Sequence, residues 1–176
     1  MTSPLSSDAL RALQAPLKAR YRENPEAALV TLKAEGELDA PGLVCRVETG
    51  RALVEAGLHP ATGGNGLEAC SGDMLLQALV ACAGVTLRAV ATALGIALRG
   101  GRVRAEGDLD FRGTLGVDKQ APVGFRAIRL RFELDGDLDE ATRGKLLDLT
   151  ERYCVVYQTL RAAPPIEVEL TTSQAA

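Results

Sequence analysis

The chain has 176 residues, a length typical of one domain, and its 47% content of hydrophobic residues excludes an intrinsically disordered protein. Lysine and arginine number 20 against 23 aspartate and glutamate residues, which gives a net charge of -3, and aromatic residues make up only 3%. A weakly acidic chain without basic clusters or stacking aromatics predicts neither nucleic acid nor an anionic membrane surface as a partner.

The N-terminal region predicts a helix and no targeting sequence. The first sixteen residues have neither the basic region nor the apolar run of a signal peptide, so we expect a cytoplasmic protein. Leucines spaced three and four apart predict a helix over residues 8–23, with a kink or a later start at Pro16. We therefore divide the chain into an N-terminal helical extension, residues 1–26, and a main domain, residues 27–176.

Three strands are predicted next. Apolar and polar residues alternate over residues 28–35 and 43–48, and a turn with the sequence LDAPG lies between them. A third strand is predicted over residues 51–57, after a Thr-Gly turn. The short connections indicate an antiparallel meander, with Cys45 on the apolar face of the second strand.

A glycine-rich loop, HPATGGNG, covers residues 59–66 and has two interpretations. Glycine-rich loops before helices can present backbone N–H groups to phosphate. However, the loop lacks the lysine of a Walker motif and the spacing of a dinucleotide-binding motif. A flexible connection without a ligand is the simpler interpretation.

A long apolar helix is predicted after this loop. Ser71 or Asp73 opens it, and Gly95 is the expected end because glycine favours the left-handed conformation after a helix. Only one glutamine and one arginine interrupt its apolar residues. A helix that is hydrophobic nearly all round in a soluble protein is expected to be buried on every side, by a sheet or by a partner chain.

The C-terminal half alternates strands and helices. Strands are predicted over residues 98–111, 125–136 and 166–172, and the second shows the clearest alternation of apolar and charged residues. A loop occupies residues 112–124, and a helix capped by Asp137 or Asp139 extends to Tyr153. The segment after this helix is ambiguous. Together these elements predict one α+β domain.

Cysteine is the only candidate nucleophile with suitable neighbours. The four cysteines are Cys45, Cys70, Cys82 and Cys154, and His59 is the only histidine. The absence of CxxC and of a second histidine argues against a zinc site, and a lone histidine gives weak support for a hydrolase triad. Each cysteine also has an inert interpretation, since free cysteines are often buried as small apolar residues.

Four motifs resemble those of the OsmC/Ohr family, in the same order and spacing over roughly residues 27–171. They are LLQALVACAGVTLRAVATALGI, GDLDFRGTLGVD, PVGFRAIRLRFEL and ERYCVVYQTL. The resemblance implies a curved antiparallel sheet wrapped around a long buried central helix. It also implies an intertwined homodimer with two active sites at its interface.

The resemblance further implies a thiol reaction. Cys82 matches the cysteine that attacks an organic hydroperoxide, and Cys154 matches the cysteine that resolves the sulfenic acid to a disulfide. A dithiol reductant, such as one of the lipoyl type, would then restore both thiols. No cofactor and no metal are implied. Apolar residues near Cys82 on the helix favour alkyl hydroperoxides over hydrogen peroxide: Leu75, Leu76, Leu79 and Val80.

The sequence departs from the peroxidase pattern of the family. The turn that carries an activating arginine in peroxidase members reads GELDAPG, and Gly72 occupies the place of their glutamate. Asp73 is a candidate replacement for this acid, or simply a first-turn charge of the helix. Many members have proline where Val155 follows the second cysteine. The candidate replacements for the arginine are Arg20, Arg22, Arg46 and Arg51.

Three functions therefore remain open. The first is a thiol peroxidase of oxidative-stress defence that uses Cys82 and Cys154. The second is a redox-sensing or small-molecule-binding protein with slow turnover, and the missing arginine favours it. The third is a structural protein with inert cysteines, which an ordinary Cys82 pKa of about 8.5 would support. Cys70 competes with Cys154 as the resolving thiol, because it is only twelve positions before Cys82.

Overall fold

The computed structural model describes residues 6–23, 36–37, 44–48, 53–116 and 118–171. Helix α1 is Ser7–Glu23, which confirms the N-terminal helix, and Ser6 accepts a hydrogen bond from the Ala9 N–H at 3.1 Å. The strand predicted at 28–35 and the turn after it lie outside the described residues.

The first sheet contains the second and third strands of the predicted meander. Strands β1 (Gly36–Glu37), β2 (Val44–Glu48) and β3 (Leu53–Gly57) are antiparallel neighbours in this order. A fourth strand, β4 (Ala69–Cys70), pairs with β3 in parallel. The sheet therefore leads the chain directly into the next helix, which begins at Ser71.

The glycine-rich loop is held by its histidine. A 3-10 turn over Pro60–Thr62 begins with the Nδ1 atom of His59 accepting a hydrogen bond from the Ala61 N–H at 3.0 Å. Gly63 follows with φ 94°, in the left-handed region that favours glycine. The imidazole of His59 stacks on Phe111, with ring centroids 4.9 Å apart. These contacts fix one end of the loop against the connection between two later strands, β5 (Gly100–Asp108) and β6 (Ala127–Asp135).

Helix α2, Ser71–Leu94, is the long apolar helix. It begins two residues before Asp73 and ends at Gly95, whose φ of 70° confirms the predicted C-terminal cap. By length and composition alone α2 can also cross a membrane, a test that core helices of soluble proteins pass as well. In the described fold it packs against β5 and the two C-terminal helices.

The described part of the chain covers only one face of α2, so the predicted burial on every side is not seen there. The buried side chains recur every fourth residue. They are Leu79, Ala83, Leu87 and Ala91. On another face of the helix Val85 is 71% exposed. The sequence pattern correctly indicated an apolar helix, but the described residues do not supply enough surface to bury it on every side.

The second sheet is a hairpin that packs on α2. Strands β5 (Gly100–Asp108) and β6 (Ala127–Asp135) pair antiparallel over their whole length. The apolar residues of β6 are half-buried and most of the charged ones exposed, as the alternation predicts. Gly84 of α2 faces this hairpin, and a Cβ atom there would be in ordinary contact with Val103, at 3.7 Å. The described residues thus form two sheets and not one curved sheet.

The predicted loop between β5 and β6 contains a short helix, α3 (Phe111–Thr114). Asp110 caps it by accepting a hydrogen bond from the Arg112 N–H, and its carboxylate also binds the Arg112 guanidinium at 2.6 Å. This hydrogen bond from the Arg112 side chain lowers the pKa of Asp110 to about 2. The contacts between Asp110 and Arg112 therefore order the start of a segment that the sequence predicts only as a loop.

Two helices follow the hairpin and meet at one residue. Helix α4 is Glu140–Tyr153, capped by Asp139 as predicted, and α5 is Val155–Arg161, in the segment that was ambiguous. Leu146 of α4 is 1% exposed and joins the buried face of α2 in the core. Cys154 lies between α4 and α5.

The strand predicted at 166–172 does not form within the described chain. Residues 163–171 pair with no strand of the described residues, and all of them are exposed. Strands need a neighbour for their backbone hydrogen bonds, and neither of the two described sheets supplies an edge for this segment. The prediction of a strand in the isolated chain was therefore wrong.

Candidate functional site

The structure brings Cys82 and Cys154 together, although 72 positions separate them in the sequence. Cys82 lies on α2 and is half-buried, and Cys154 is 1% exposed at the joint between α4 and α5. The Cys154 thiol donates a hydrogen bond to the sulfur of Cys82. Both thiols are free. The two residues that the family resemblance pairs are therefore in direct contact.

Cys82 is the more acidic thiol of the pair. Burial alone would raise its pKa, since a buried thiolate loses water. Hydrogen bonds from the Val156 N–H, the Cys154 thiol and the Val155 N–H outweigh burial, and the pKa of Cys82 is lowered. Thr86, one helical turn further along α2, adds a hydrogen bond from its side chain. The environment of Cys82 therefore favours the thiolate, which is the nucleophilic form.

Cys154 has the opposite shift. Burial raises the pKa of the Cys154 thiol, although the Tyr157 N–H contributes a hydrogen bond that favours the thiolate. The nearby sulfur of Cys82 raises the pKa further, because two adjacent thiolates repel each other. As the pH rises, Cys82 therefore loses its proton before Cys154 does. This difference in acidity is the one expected if Cys82 attacks as a thiolate and Cys154 reacts second as a thiol.

Asp73 does not reach the thiol pair. It is exposed in the first turn of α2, nine residues before Cys82. At about 1.5 Å per residue and about 3.6 residues per turn, this spacing puts it roughly 13 Å away and on the opposite face of the helix. Gly72, beside it, lies instead against Phe125, whose ring a Cβ atom would meet at 3.5 Å. Within one chain the structure separates this acid from the thiols.

Cys70 is also separated from Cys82. It is the residue that precedes α2, so all twelve positions between the two cysteines are spanned by helix. Twelve helical residues extend roughly 18 Å. A disulfide requires Cα atoms within about 7 Å of each other. The short spacing in sequence therefore does not make Cys70 a resolving thiol without unwinding the first turns of α2.

The activating arginine is not found among the described side chains. The groups of the described chain that shift the pKa of Cys82 are backbone N–H groups, a thiol and a hydroxyl. Four arginines were candidates from the sequence, and the side chains of Arg20, Arg22 and Arg46 and the whole of Arg51 lie outside the described residues. Within the described part of the chain, uncharged groups therefore provide the hydrogen bonds to the Cys82 sulfur, and two of them are peptide N–H groups.

Sequence reasoning missed several of these contacts. Thr86 was detectable, since a residue four positions after Cys82 lies on the same face of a helix. The N–H donors of Val155 and Val156 were not, because a peptide group has no side-chain pattern. In the described residues no group of three acidic, histidine or cysteine side chains has the arrangement of a metal site.

An apolar cavity of about 870 Å³ lies between α2, β6, α4 and α5. Its volume is in the range of small-molecule sites. Most of its lining is aliphatic or aromatic, with Glu151, Tyr157 and three arginines among the polar groups. The arginines are Arg126, Arg143 and Arg161. Tyr157 links this cavity to the thiols, because it is one of the lining residues and its N–H hydrogen-bonds Cys154.

The sequence also matches a known family. The model of one protein family, described as OsmC-like protein, matches residues 63–169, which is more than half of the chain. No curated protein shows a significant match. The family match includes both cysteines of the thiol pair.

Solved structures share the fold. An OsmC-like protein from Mycoplasma pneumoniae has a TM-score of 0.62 at 18% identity, over 76% of this chain and 89% of that one. An organic hydroperoxide resistance protein from Legionella pneumophila has a TM-score of 0.59 at 18% identity, over 76% and 91%. A similar protein from Bacillus subtilis has a TM-score of 0.52 at 17% identity, over 76% and 93%. This chain therefore has the α+β fold of these proteins and belongs to the OsmC family.

Proposed function

We propose that this protein is a cytoplasmic thiol peroxidase that reduces organic hydroperoxides in oxidative-stress defence. The observation that carries the proposal is the contact between Cys82 and Cys154, in which the pKa of the first is lowered and that of the second raised. Family relatives named organic hydroperoxide resistance proteins support the substrate class. Asp73 takes no part in the proposed reaction, because it lies far from Cys82.

The proposed reaction has two steps on the protein. The Cys82 thiolate attacks one oxygen of the peroxide, the O–O bond breaks, and the departing alkoxide takes a proton to leave as the alcohol. Cys82 is now a sulfenic acid. The Cys154 sulfur then attacks the Cys82 sulfur, the S–O bond breaks, and water leaves with the Cys154 proton as the disulfide forms. A dithiol reductant returns two electrons and two protons by exchange.

The cavity supports an apolar substrate. Its wall is made mainly of leucine and phenylalanine side chains, and burial of apolar groups is favourable by about 25 cal/mol per Å². Hydrogen peroxide gains nothing from such a wall. The hydrocarbon group of an alkyl or aryl hydroperoxide can pack against this wall. Tyr157 both lines the cavity and hydrogen-bonds Cys154, so the cavity lies next to the thiol pair. We therefore expect organic peroxides to react faster.

A stopped-flow assay tests this proposal. Reduced protein is mixed with cumene hydroperoxide or hydrogen peroxide, and free thiols are counted over time beside free cysteine at the same pH. We expect two thiols to disappear within seconds with cumene hydroperoxide, and at least about ten-fold more slowly with hydrogen peroxide, since an aryl group buried in an apolar wall lowers the barrier by more than about 1.4 kcal/mol. Equal rates for both peroxides would remove the substrate assignment.

The second candidate is a redox-sensing or small-molecule-binding protein. It is favoured by the absence of an arginine from the described groups around Cys82. A sensor would use the same thiol pair but need only one oxidation event. Thiol loss no faster than that of free cysteine, together with a stable Cys82–Cys154 disulfide under mild oxidants, would support this second function.

The same proposal includes a homodimer. The exposed C-terminal segment carries apolar side chains at every second position, which is one face of a strand. These side chains are Ile166, Val168 and Leu170, exposed by 81%, 90% and 89%. Val85 on the uncovered face of α2 is also exposed. Apolar surface of this extent usually marks an interface, and a second copy would cover α2 and pair the free strand.

We expect light scattering to give twice the 18.5 kDa mass of the chain. Val168→Ala should weaken the dimer by more than about ten-fold, since each of the two chains loses two methyl-sized groups from the interface, at about 0.8 kcal/mol for each group. Glu169→Ala, on the alternate face of the same segment, is the matched control and should leave the dissociation constant unchanged. A monomeric wild-type chain would overturn the dimer.

A further inference from the structure

The corner between α4 and α5 has a single non-helical residue. Cys154 has φ -75° and ψ 108°, while its neighbours on both sides are helical. Its N–H donates to the Thr150 carbonyl at 2.9 Å, and its own carbonyl accepts from the Gln158 N–H at 3.0 Å. Because one residue provides the whole bend, small torsional changes at Cys154 rotate α5 relative to α4. The angle of the corner therefore depends on contacts that cross it.

Two side-chain hydrogen bonds cross the corner, and both end on Glu151. The Tyr157 hydroxyl donates to the Glu151 carboxylate at 2.8 Å in a partly buried position. The Gln158 side-chain amide donates to the Glu151 backbone carbonyl, also at 2.8 Å. The first bond is charge-assisted, and such bonds are roughly twice as strong as neutral ones. It raises the pKa of Tyr157, so the phenol keeps the proton it donates.

The first turn of α5 also faces the thiols. The N–H groups of Val155 and Val156 hydrogen-bond Cys82, and that of Tyr157 hydrogen-bonds Cys154. All three peptide groups move together if α5 rotates at the corner. The side chain of Tyr157 thus anchors the first turn of α5 to α4, and the backbone of that same turn contacts the two sulfur atoms.

We propose that the hydrogen bond between Tyr157 and Glu151, called the clasp here, holds the α4–α5 corner and thereby sets Cys154 and the first turn of α5 against Cys82. Tyr157 and Glu151 are then positioning residues, and their role in turnover rests on the proposed function. Opening the clasp lets α5 rotate, so that the N–H donors withdraw from Cys82 and the two sulfurs approach less often. Opening of the clasp therefore makes the Cys82 thiol less acidic and slows the formation of the Cys82–Cys154 disulfide.

The test uses readouts that need no peroxidase activity. In full-length protein with Cys45→Ser and Cys70→Ser, the rate of alkylation by iodoacetamide is measured against pH, and disulfide formation is followed after one equivalent of diamide. Tyr157→Phe keeps the ring but removes the hydroxyl. We expect it to move the alkylation curve to higher pH and to slow disulfide formation about three-fold, since small displacements of reacting groups slow reactions strongly.

Three further variants decide between positioning and simple stability. Glu151→Gln retains a carbonyl acceptor for the tyrosine and should stay near the parent in both readouts. Glu151→Ala should have the same effect as Tyr157→Phe on both readouts. The double variant should show no larger effect than either single one, because both substitutions remove the same interaction. Tyr153→Phe, an exposed tyrosine at the end of α4, is the matched control and should change neither readout.

The outcomes separate the clasp from the peroxidase. A Tyr157→Phe protein with lower thermal stability but unchanged alkylation and disulfide rates overturns the clasp. So does an equal effect of Tyr153→Phe. If the clasp variants behave as expected while the parent protein fails to consume cumene hydroperoxide, the clasp stands and only the peroxidase assignment falls.

Discussion

Replacement of Cys82 by serine is expected to abolish reaction with organic hydroperoxides, with a loss of at least about 100-fold in the rate of thiol oxidation. The lowered pKa of Cys82 gives it a larger thiolate fraction than an ordinary thiol has at the same pH, whereas a serine hydroxyl in the same place stays protonated and is a poor nucleophile. No residue of the described site can replace it, since burial raises the pKa of Cys154.

The matched variant Cys154→Ser should stop the reaction one step later. Its Cys82 should still be oxidised, but without the neighbouring thiol the sulfenic acid persists and can be trapped with dimedone and identified by peptide mass spectrometry. Cys70→Ser is the control, because helix α2 keeps Cys70 roughly 18 Å from Cys82, and it should oxidise to the disulfide like the parent.

Two results would contradict this assignment of roles. Undiminished peroxide consumption by Cys82→Ser would make another cysteine the nucleophile. A disulfide between Cys70 and Cys82 in the parent protein would mean that the first turns of α2 unwind during the reaction. Each variant is expected to give a different end product: unreacted thiol for Cys82→Ser, sulfenic acid for Cys154→Ser and disulfide for Cys70→Ser. One mass spectrum of each protein therefore distinguishes the assignments.

Local patterns predicted those elements whose cause is local. The alternation of β6 and the cap at Asp139 depend on residues within a few positions, and both are seen in the fold. Gly95 ends α2 because a left-handed residue is needed there, whatever surrounds the helix. In each case the residues that determine the structure are adjacent in the sequence.

Elements that depend on distant contacts were not predictable in this way. The approach of Cys154 to Cys82 depends on how α4 packs on α2 and on a one-residue bend, so only the family resemblance paired these cysteines. Residues 166–172 have the pattern of a strand, but a strand also needs an edge to pair with. The apolar sequence of α2 likewise predicts that it will be covered without identifying which chain covers it.

The peptide N–H of Val155 is an unusual feature of the thiol site, and its removal tests how Cys82 is activated. Val155 is the first residue of α5, where the N–H has no acceptor within the helix, and it hydrogen-bonds Cys82 instead. Proline is tolerated at a first helical position. The preceding residue, Cys154, already has the extended torsions that proline requires, φ -75° and ψ 108°. Val155→Pro therefore removes one donor and leaves the bend intact.

We expect Val155→Pro to raise the pKa of Cys82 by about one unit, since a hydrogen bond to a charged group contributes about 1.5 kcal/mol and one pKa unit corresponds to about 1.4 kcal/mol. At a pH below the pKa, the thiolate fraction falls about ten-fold. The more basic thiolate is about three-fold more nucleophilic, so the rate with peroxide should fall only about three-fold.

The measurement is the pH profile of alkylation by iodoacetamide in protein with Cys45→Ser and Cys70→Ser. Val155→Ala keeps the N–H and shortens only an exposed side chain, so its profile should coincide with that of the parent. A Val155→Pro profile that also coincides would mean that the Val156 N–H and the thiol of Cys154 are sufficient to hold the thiolate. A shift in Val155→Pro alone would mean that peptide groups of this corner contribute part of the stabilisation that an arginine provides in peroxidase members of the family.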